Sequence, residues 1–203
     1  MNAPAIMPRQ LFSLFSSLSI SRWSLTRTLH SDNPMDIHGE IHGKATFAPK
    51  PQHSTSNGPN QESDMVYQEE GEMPKTLGMG MAGLRWSKRY MWRLSGRRMS
   101  VWFVKTGDEE ADYLFHEFDF NPMDKIDAPA EVTAPLPPMP SITGETTVLT
   151  ARGSHLCIND MYRTAYAFRI RPETGQVLSW SSRHVVKGPK KDQDIVNIYQ
   201  REG

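Results

Sequence analysis

The sequence predicts an all-β protein, an antiparallel β-barrel with a short N-terminal helix. From Trp23 onward, many short segments alternate apolar and polar residues with a period of two. Turn residues separate these segments, and strands do not alternate with long helical segments, which disfavours a parallel α/β sheet. About nine or ten short strands favour a closed barrel, because closure removes exposed sheet edges and leaves an interior for one small ligand.

The composition indicates one domain with long polar loops. The 203 residues are 37% hydrophobic and include 15 prolines and 14 glycines, so we expect a core smaller than the chain length suggests. We expect residues 1–9 to be disordered and residues 10–203 to form a single barrel domain with loop insertions at 49–63 and 121–147. The second loop is interpreted as an insertion because neither side of it has enough strands for a core.

Charge and cysteine content limit the partners and the compartment. Lys+Arg and Asp+Glu both count 23, so the net charge gives no reason to expect nucleic acid or an anionic membrane. A single cysteine, Cys157, excludes an internal disulfide framework and favours the cytoplasm. No apolar run approaches the roughly 20 residues of a membrane-spanning helix. The first 31 residues lack Asp and Glu, so a mitochondrial presequence is the minority interpretation.

Each element follows from its local pattern. Leu11, Phe12, Leu14, Phe15 and Leu18 lie at helical spacing and predict a short helix over residues 10–18 that plugs or caps the fold. Period-two patterns, bounded by turn residues, predict the strands. These strands cover residues 23–29, 43–48, 65–70, 84–94, 99–104, 114–120, 148–158, 163–171, 176–186 and 195–201.

The last fifty residues are unusually rich in polar side chains. His155, Cys157, Asp160 and Tyr162 lie among apolar residues on predicted strands, and Lys191 lies in the turn that precedes the last strand. Polar groups on strands that are otherwise suited to burial need partners or a ligand. The pattern therefore predicts a polar interior site.

Arg27 is the first candidate for that site, because it shares a strand face with Trp23, Leu25 and Leu29. A guanidinium inside a barrel needs a carboxylate or an anionic ligand. Glu69 and Asp160 are the candidate partners. One interpretation is an internal ion pair that orients a ligand carboxylate, phosphate or carbonyl. The alternatives are a structural ion pair and an arginine whose charged end reaches the barrel rim.

Two histidines are candidates for acid–base chemistry. His116 shares a face with Phe118 and Phe120, and His155 shares one with Cys157. An inward histidine suits a general base, a metal or haem ligand, or a hydrogen-bonded structural residue. His155 and Cys157 lie about 7 Å apart along one strand, which is not a strong metal signature, so no metal or cofactor is predicted. Cys157 itself suits a small buried residue better than a nucleophile.

Aromatic residues and one turn complete the candidate set. Tyr90 and Trp92 are predicted to form barrel walls, as core or as pocket lining. The turn over residues 187–192 lacks the spacing of a phosphate-binding loop, so its lysines are expected to be solvated. The alternative is that Lys191 or Asp192 folds back across the barrel mouth.

Several motifs occur in a fixed order along the chain. They are Trp23-Ser-Leu25-Thr-Arg27, Gly43-Lys-Ala45-Thr-Phe47, Tyr67-Gln-Glu69-Glu-Gly71, Arg89-Tyr90-Met-Trp92, Val101-Trp-Phe103, Phe115-His116, the segment from His155 to Tyr162, and Gly188-Pro189-Lys-Lys191-Asp192. Their combined order resembles an uncharacterised family of lipocalin-like (calycin-type) small barrels, the domain of unknown function 6314. The resemblance runs from about Leu11 to the C-terminus outside the two loops, with departures at Ser21 and Gln193, and implies an architecture but little chemistry.

We therefore expect the barrel to bind an apolar or amphipathic small molecule that carries a polar or anionic group. The expected ligand-binding residues are Arg27, Glu69, Tyr90, Trp92, Cys157, Asp160 and Lys191. The alternative is a cofactor-free isomerase, cyclase or hydrolase with His116 or His155 as base and Tyr162 as acid. A haem or metal carrier is the third hypothesis. The oligomeric state stays open, with a homodimer among the options.

Overall fold

The computed structural model describes residues 8–51, 62–74, 83–105, 110–120, 132–141, 143–157, 159–189 and 191–202. Within these ranges the chain forms an α-helix, α1 (Pro8–Ser17), a 3₁₀ turn (Leu18–Ile20) and ten strands. The strands are β1 (Trp23–Ser31), β2 (Gly39–Pro49), β3 (Ser63–Glu72), β4 (Arg85–Ser95), β5 (Arg98–Val104), β6 (Ala111–Asp119), β7 (Thr147–Cys157), β8 (Asp160–Ile170), β9 (Val177–Lys187) and β10 (Asp192–Arg201).

The ten strands form a closed antiparallel barrel, which confirms the predicted fold class. Each strand pairs with its neighbour in sequence, and β1 closes the barrel on β10, with Trp23 opposite Arg201 and Ser31 opposite Gln193. Closure gives each described strand two neighbours, although β6 and β7 share only the pair Asp119 and Arg152. None of the helical segments in the described ranges has the length and apolar character of a membrane-spanning helix.

Helix α1 closes one end of the barrel. It begins at Pro8, two residues before the predicted start, and Leu11, Leu14 and Phe15 are fully buried in the core. Phe12 was predicted to share their face. That prediction is wrong, since half of the surface of Phe12 is exposed. Helical geometry explains the difference, because Phe12 lies about 100° around the helix from Leu11, which is at the centre of the face that Leu14, Phe15 and Leu18 share. The predicted disorder of residues 1–9 falls largely on residues 1–7, which lie outside the described residues.

The core lies at the end that α1 closes. Trp23 is fully buried, and its Nε1 donates to the carbonyl oxygen of Leu18 at 3.0 Å, which joins the helix to β1. Trp92 contacts Phe47 and Phe118 edge-on, with ring centroids 5.2 and 5.8 Å apart. These aromatic contacts fill the barrel beneath the helix, so any interior space lies toward the opposite end.

Part of the long proline-rich connection packs against the outside of the barrel. Of the predicted insertion at 121–147, residues 121–131 and 142 lie outside the described residues, as do 52–61 of the insertion at 49–63. Residues 132–141, named here the strap, have no regular secondary structure. Arg169 on β8 donates to the Pro137 carbonyl, and Ser179 and Ser181 on β9 donate to the carbonyls of Pro138 and Pro135. The outer faces of β8 and β9 are therefore buried.

Candidate functional site

A cavity of about 230 Å³ lies inside the barrel, between the aromatic core and the end opposite α1. Within the described residues it reaches solvent at that end, where its wall includes the exposed Lys88. The apolar part of the wall consists of Leu29, Trp92, Val101, Phe115, Trp180, Val186 and Ile195. The polar part consists of Arg27, Tyr67, Glu69, Lys88, Tyr90, His116, Tyr162, Tyr166, Ser182, His184, Gln193, Asn197 and Tyr199.

Arg27 and Glu69 form a bidentate ion pair at the wall of this cavity. Arg27 Nη1 donates to Glu69 Oε1 at 2.9 Å, and Nη2 donates to Oε2 at 2.8 Å. The two residues are 8% and 1% exposed. Burial alone would lower the pKa of Arg27, but the Glu69 carboxylate raises it, so the guanidinium stays charged. The structure thus brings together the pair that the sequence predicted, and it gives Glu69 rather than Asp160 as the partner.

The remaining polar atoms of the ion pair are also bonded. Arg27 Nε donates to Asn197 Oδ1 at 2.6 Å, and the Tyr67 hydroxyl donates to Glu69 Oε2 at 2.7 Å. The hydroxyl groups of Tyr67 and Tyr199 share a further hydrogen bond of 2.9 Å. Burial raises the pKa values of both tyrosines, which stay neutral. The pair is therefore held in one geometry and carries no net charge.

A second row of hydrogen bonds continues from Asn197 across β9. Its Nδ2 donates to Ser182 Oγ at 2.9 Å, and Ser182 Oγ is 3.1 Å from His184 Nε2. The other ring nitrogen of His184 is 2.9 Å from Thr164 Oγ1. Burial, together with the positive charges of Arg27 and Lys88, lowers the pKa of His184 to about 3. His184 is thus a neutral ring with both nitrogens occupied.

His116 lines the cavity and is hydrogen-bonded to Tyr166. His116 Nε2 and the Tyr166 hydroxyl are 2.7 Å apart, and both side chains are buried. Burial first, and then the nearby His184 and His155, lower the pKa of His116 well below its usual value. Burial likewise raises the pKa of Tyr166 well above its usual value. At neutral pH both groups are uncharged.

An irregularity in β6 explains why two adjacent residues line the cavity. The pairing of β5 with β6 shifts after Val101, which lies opposite His116, since Trp102 lies opposite Leu114. Phe115 is therefore an extra residue in β6. Strict alternation would point Phe115 away from the interior, but a bulge of this kind re-aims side chains. Phe115 and His116 consequently both contribute to the cavity wall.

The cavity wall includes a tryptophan whose polar atom has no partner. Trp180 is 1% exposed and stacks on Tyr199 with ring centroids 3.5 Å apart. Its Nε1 is buried without a hydrogen-bond partner among the described residues, as is Nε1 of Trp86. A buried donor of this kind costs free energy unless it is satisfied. Trp180 therefore contributes part of its aromatic surface to the cavity wall, whereas its Nε1 is covered by protein atoms.

Tyr162 and Lys191 meet at the rim of the cavity. Lys191 Nζ donates to the Tyr162 hydroxyl at 3.0 Å and lies 3.0 Å from a carboxylate oxygen of Asp160. These two hydrogen bonds raise the pKa of Lys191. Asp160 thus partners Lys191 rather than Arg27, and Lys191 remains exposed at the rim while it bonds to Tyr162 and Asp160.

The other sequence-predicted residues fall into three groups. Tyr90 and Trp92 line the cavity as expected. His155 is half-buried on β7 opposite Tyr162, but it is not part of the cavity wall. The side chain of Cys157 lies outside what the structure describes. His155 therefore lies close enough to His116 to affect its pKa but does not line the cavity.

The described residues contain no group of three or more His, Cys, Asp or Glu side chains placed to hold a metal ion. Both ring nitrogens of His184 are hydrogen-bonded, and His116 Nε2 is bonded to Tyr166. A metal or haem ligand needs a ring nitrogen with a free lone pair. In this arrangement His184 therefore offers no free ring nitrogen to a metal or haem iron.

Sequence reasoning missed several residues of the site. Lys88 was not identified as a site residue, although its parity with Tyr90 on β4 could have identified it. Ser182, His184 and Asn197 were not singled out. In β9 polar residues occupy both faces, because Ser179 and Ser181 bond to the strap, so alternation gave no indication of which face is interior.

The comparisons with known proteins agree with the fold. Residues 20–201 match the model of a family of unknown function (DUF6314). The chain belongs to this family, which confirms the resemblance inferred from its motifs. The match begins after α1, whereas the inferred resemblance began at about Leu11. Neither the curated proteins nor the solved structures gave a significant match.

Proposed function

We propose that this member of the DUF6314 family binds one small, largely apolar or amphipathic molecule in the interior of its barrel. The observation that carries the proposal is the cavity of about 230 Å³, whose aromatic wall surrounds polar groups fixed by hydrogen bonds. Ligand sites typically combine apolar walls with a few well-placed polar groups. The single cysteine of the chain is in keeping with a cytoplasmic setting.

The volume limits the ligand to a small molecule. An apolar cavity of about 150 Å³ holds benzene, and drug-sized pockets begin at roughly 300 Å³. A cavity between these values suits a ligand of one or two rings. The charge of Arg27 is less available to an anionic ligand than the sequence suggested, because Glu69 already neutralises it.

Binding is favoured over acid–base catalysis by the state of the histidines. A general base works best when its pKa lies near the working pH. The pKa of His116 is lowered well below that range by burial, and the residue pairs with Tyr166 rather than with Tyr162. The isomerase, cyclase or hydrolase hypothesis would require a charged imidazolium in this buried position. A static binding role needs only the neutral ring.

Native mass spectrometry of gently purified protein, with an absorbance spectrum of the same sample, tests the proposal. A non-covalent adduct of low mass is the expected result, and calorimetry with the identified compound then locates it. Leu29→Trp adds bulk to the cavity wall and should abolish binding. Thr28→Trp, on the opposite face of the same strand, is the matched control and should bind normally.

Equal binding by both variants would place the ligand outside the barrel and overturn the proposal. If no adduct survives purification, calorimetry is run with 2-naphthoate and 2-naphthamide as probes. Failure of every probe to bind wild type would also overturn interior binding of small aromatic molecules. A red-brown chromophore would instead favour the haem hypothesis.

A further inference from the structure

We propose that Lys88 makes this cavity selective for a small anion, an aromatic or alicyclic carboxylate whose charged end lies at the cavity mouth and whose ring lies inside. The inference rests on the proposed function and specifies the ligand class. It starts from the position of Lys88 in β4. Lys88 lies directly opposite Glu69 of β3, and both residues line the cavity with Tyr90.

Lys88 carries the uncompensated charge of the cavity wall. Three wall residues are charged at neutral pH, and two of them, Arg27 and Glu69, neutralise each other through two hydrogen bonds. His116 and His184 are neutral. Among the described residues, Lys88 Nζ has no hydrogen-bond or ion-pair partner, although it lies opposite the Glu69 carboxylate. The described wall therefore has a net charge of about +1, which favours an anion.

Neighbouring lysines at the same end are already paired. Lys187 Nζ donates to Asp192, and Lys191 Nζ contacts both Asp160 and the Tyr162 hydroxyl. The positive charges of these two lysines are therefore already compensated when an anion reaches this end of the barrel. Lys88 differs, because partial desolvation by the surrounding wall and then the Arg27 charge lower its pKa even though its side chain reaches solvent, and a bound carboxylate would relieve that cost.

The shape of the wall orients the ligand. The apolar surfaces of Trp180 and Val101 lie deeper than Lys88, toward the core that α1 closes. A planar ring is buried by packing against these surfaces and the ring of Phe115. A carboxylate attached to that ring avoids desolvation only if it stays near the mouth, where Lys88 is accessible to water. Charge and burial thus select the same orientation.

The test compares two probes of the same shape, 2-naphthoate and 2-naphthamide, by calorimetry on the full chain. Wild type should bind the carboxylate more tightly than the amide. Lys88→Met keeps the apolar stem and should weaken naphthoate binding at least about tenfold, the effect of losing one hydrogen bond to a charged group. Lys88→Arg should retain most of the affinity, because it retains the charge. Naphthamide affinity should be the same in all three proteins, which also shows that the site is intact.

The control for long-range charge is Arg89→Met. Arg89 is adjacent to Lys88 and exposed on the outer face of β4, so its removal lowers the net charge equally. It should leave naphthoate affinity within about twofold of wild type, since exposed charges at a distance are screened by salt. An equal loss of naphthoate affinity in Arg89→Met and Lys88→Met would mean that Lys88 acts through the overall charge of the protein and not through a specific contact. That result would overturn the inference.

The outcomes separate this inference from the proposed function. Equal affinities of wild type for the two probes, unchanged in Lys88→Met, would overturn anion selectivity and leave interior binding standing. Saturable binding of neither probe to wild type would overturn both. Tighter binding of naphthoate that is lost only in Lys88→Met supports both.

Discussion

Glu69 and Arg27 meet across β2, the strand that separates them in the sheet. The cross-strand neighbour of Glu69 on β2 is Ala45, and next to it along the interior face is Gly43. The two charged side chains approach within 2.8 Å over the intervening strand, and the ring of Trp86 covers Gly43. The Arg27 guanidinium lies 5.7 Å from the centre of that ring, so it is held between the Glu69 carboxylate and an aromatic face.

The first prediction concerns the energy of this pair. Removing one partner leaves the other charge buried and uncompensated, so Arg27→Met and Glu69→Gln should each lower the free energy of unfolding by about 3–5 kcal/mol. The double variant should lose far less than the sum of the two. Urea denaturation gives all four values. The half-exposed pair Arg183–Asp194 has similar geometry and is the control, since disrupting it should cost only about 0–1 kcal/mol.

Additive losses in the double variant would contradict this account. They would mean that Arg27 and Glu69 act on stability separately, through Asn197 and Tyr67, rather than as a pair.

The fold was predictable from the sequence because period-two alternation is a local signal. Each strand was located to within a few residues, and parity alone placed Arg27 and Glu69 on interior faces. Which polar groups meet across the barrel is not a local property. The partner of His116 is Tyr166, although Tyr162 lies on the same strand face and was equally eligible. Only the shear of the closed sheet selects between them.

Two other features were hidden for identifiable reasons. The bulge in β6 turns Phe115 inward against strict alternation. The strap buries the outer faces of β8 and β9, so Ser181 is outward and buried while Ser182 is inward and buried. With both faces buried, a strand loses the contrast on which pattern analysis depends.

The second prediction is a loss of stability in mild acid. The pKa values of His116 and His184 are lowered by burial, that of His184 to about 3. The unfolded chain takes up these protons near pH 6.5 and the folded chain does not. The stability that the two neutral rings contribute is therefore complete above about pH 6.5 and is lost progressively below it, for His184 down to about pH 3. Each histidine should lower the free energy of unfolding by about 1.4 kcal/mol per pH unit below about pH 6.

Urea denaturation at pH 7 and pH 5 measures this slope. His184→Asn should reduce it by about 1.4 kcal/mol per pH unit, whatever its effect on stability at pH 7. His30→Asn changes an exposed histidine on β1 and should leave the slope as it is in wild type. A slope that is the same in all three proteins would mean that His184 is protonated in the folded barrel.

The third prediction concerns the closure of the barrel at Gly153. A Cβ at this position would lie 1.7 Å from the carbonyl oxygen of Glu117, a backbone atom that cannot move independently. In the described chain, β6 and β7 pair at only one position, Asp119 with Arg152. The β6–β7 pairing is therefore the least extensive in the sheet. Gly153→Ala should force the strands apart and cost about 3 kcal/mol or more.

Ser154→Ala is the matched control, because Ser154 is the next residue and is exposed. Thermal unfolding followed by tryptophan fluorescence should give a clearly lower midpoint temperature for Gly153→Ala. For Ser154→Ala, the free energy of unfolding should change by less than about 0.5 kcal/mol. Wild-type stability of Gly153→Ala would show that β6 and β7 separate here without cost.

The last prediction tests whether the strap is part of the folded domain. Arg169 reaches from β8 to the Pro137 carbonyl through Nε and Nη2, at 3.2 and 3.0 Å, and to Thr146 Oγ1 through Nη1 at 3.0 Å. Arg169→Met keeps the stem and removes these bonds, so the free energy of unfolding in urea should fall by about 1.5–3 kcal/mol. Arg163→Met removes the same charge from the same outer face of β8, beyond the strap, and should change it by less than about 0.5 kcal/mol. Equal losses in the two variants would mean that the charge itself, and not the attachment of the strap, stabilises β8.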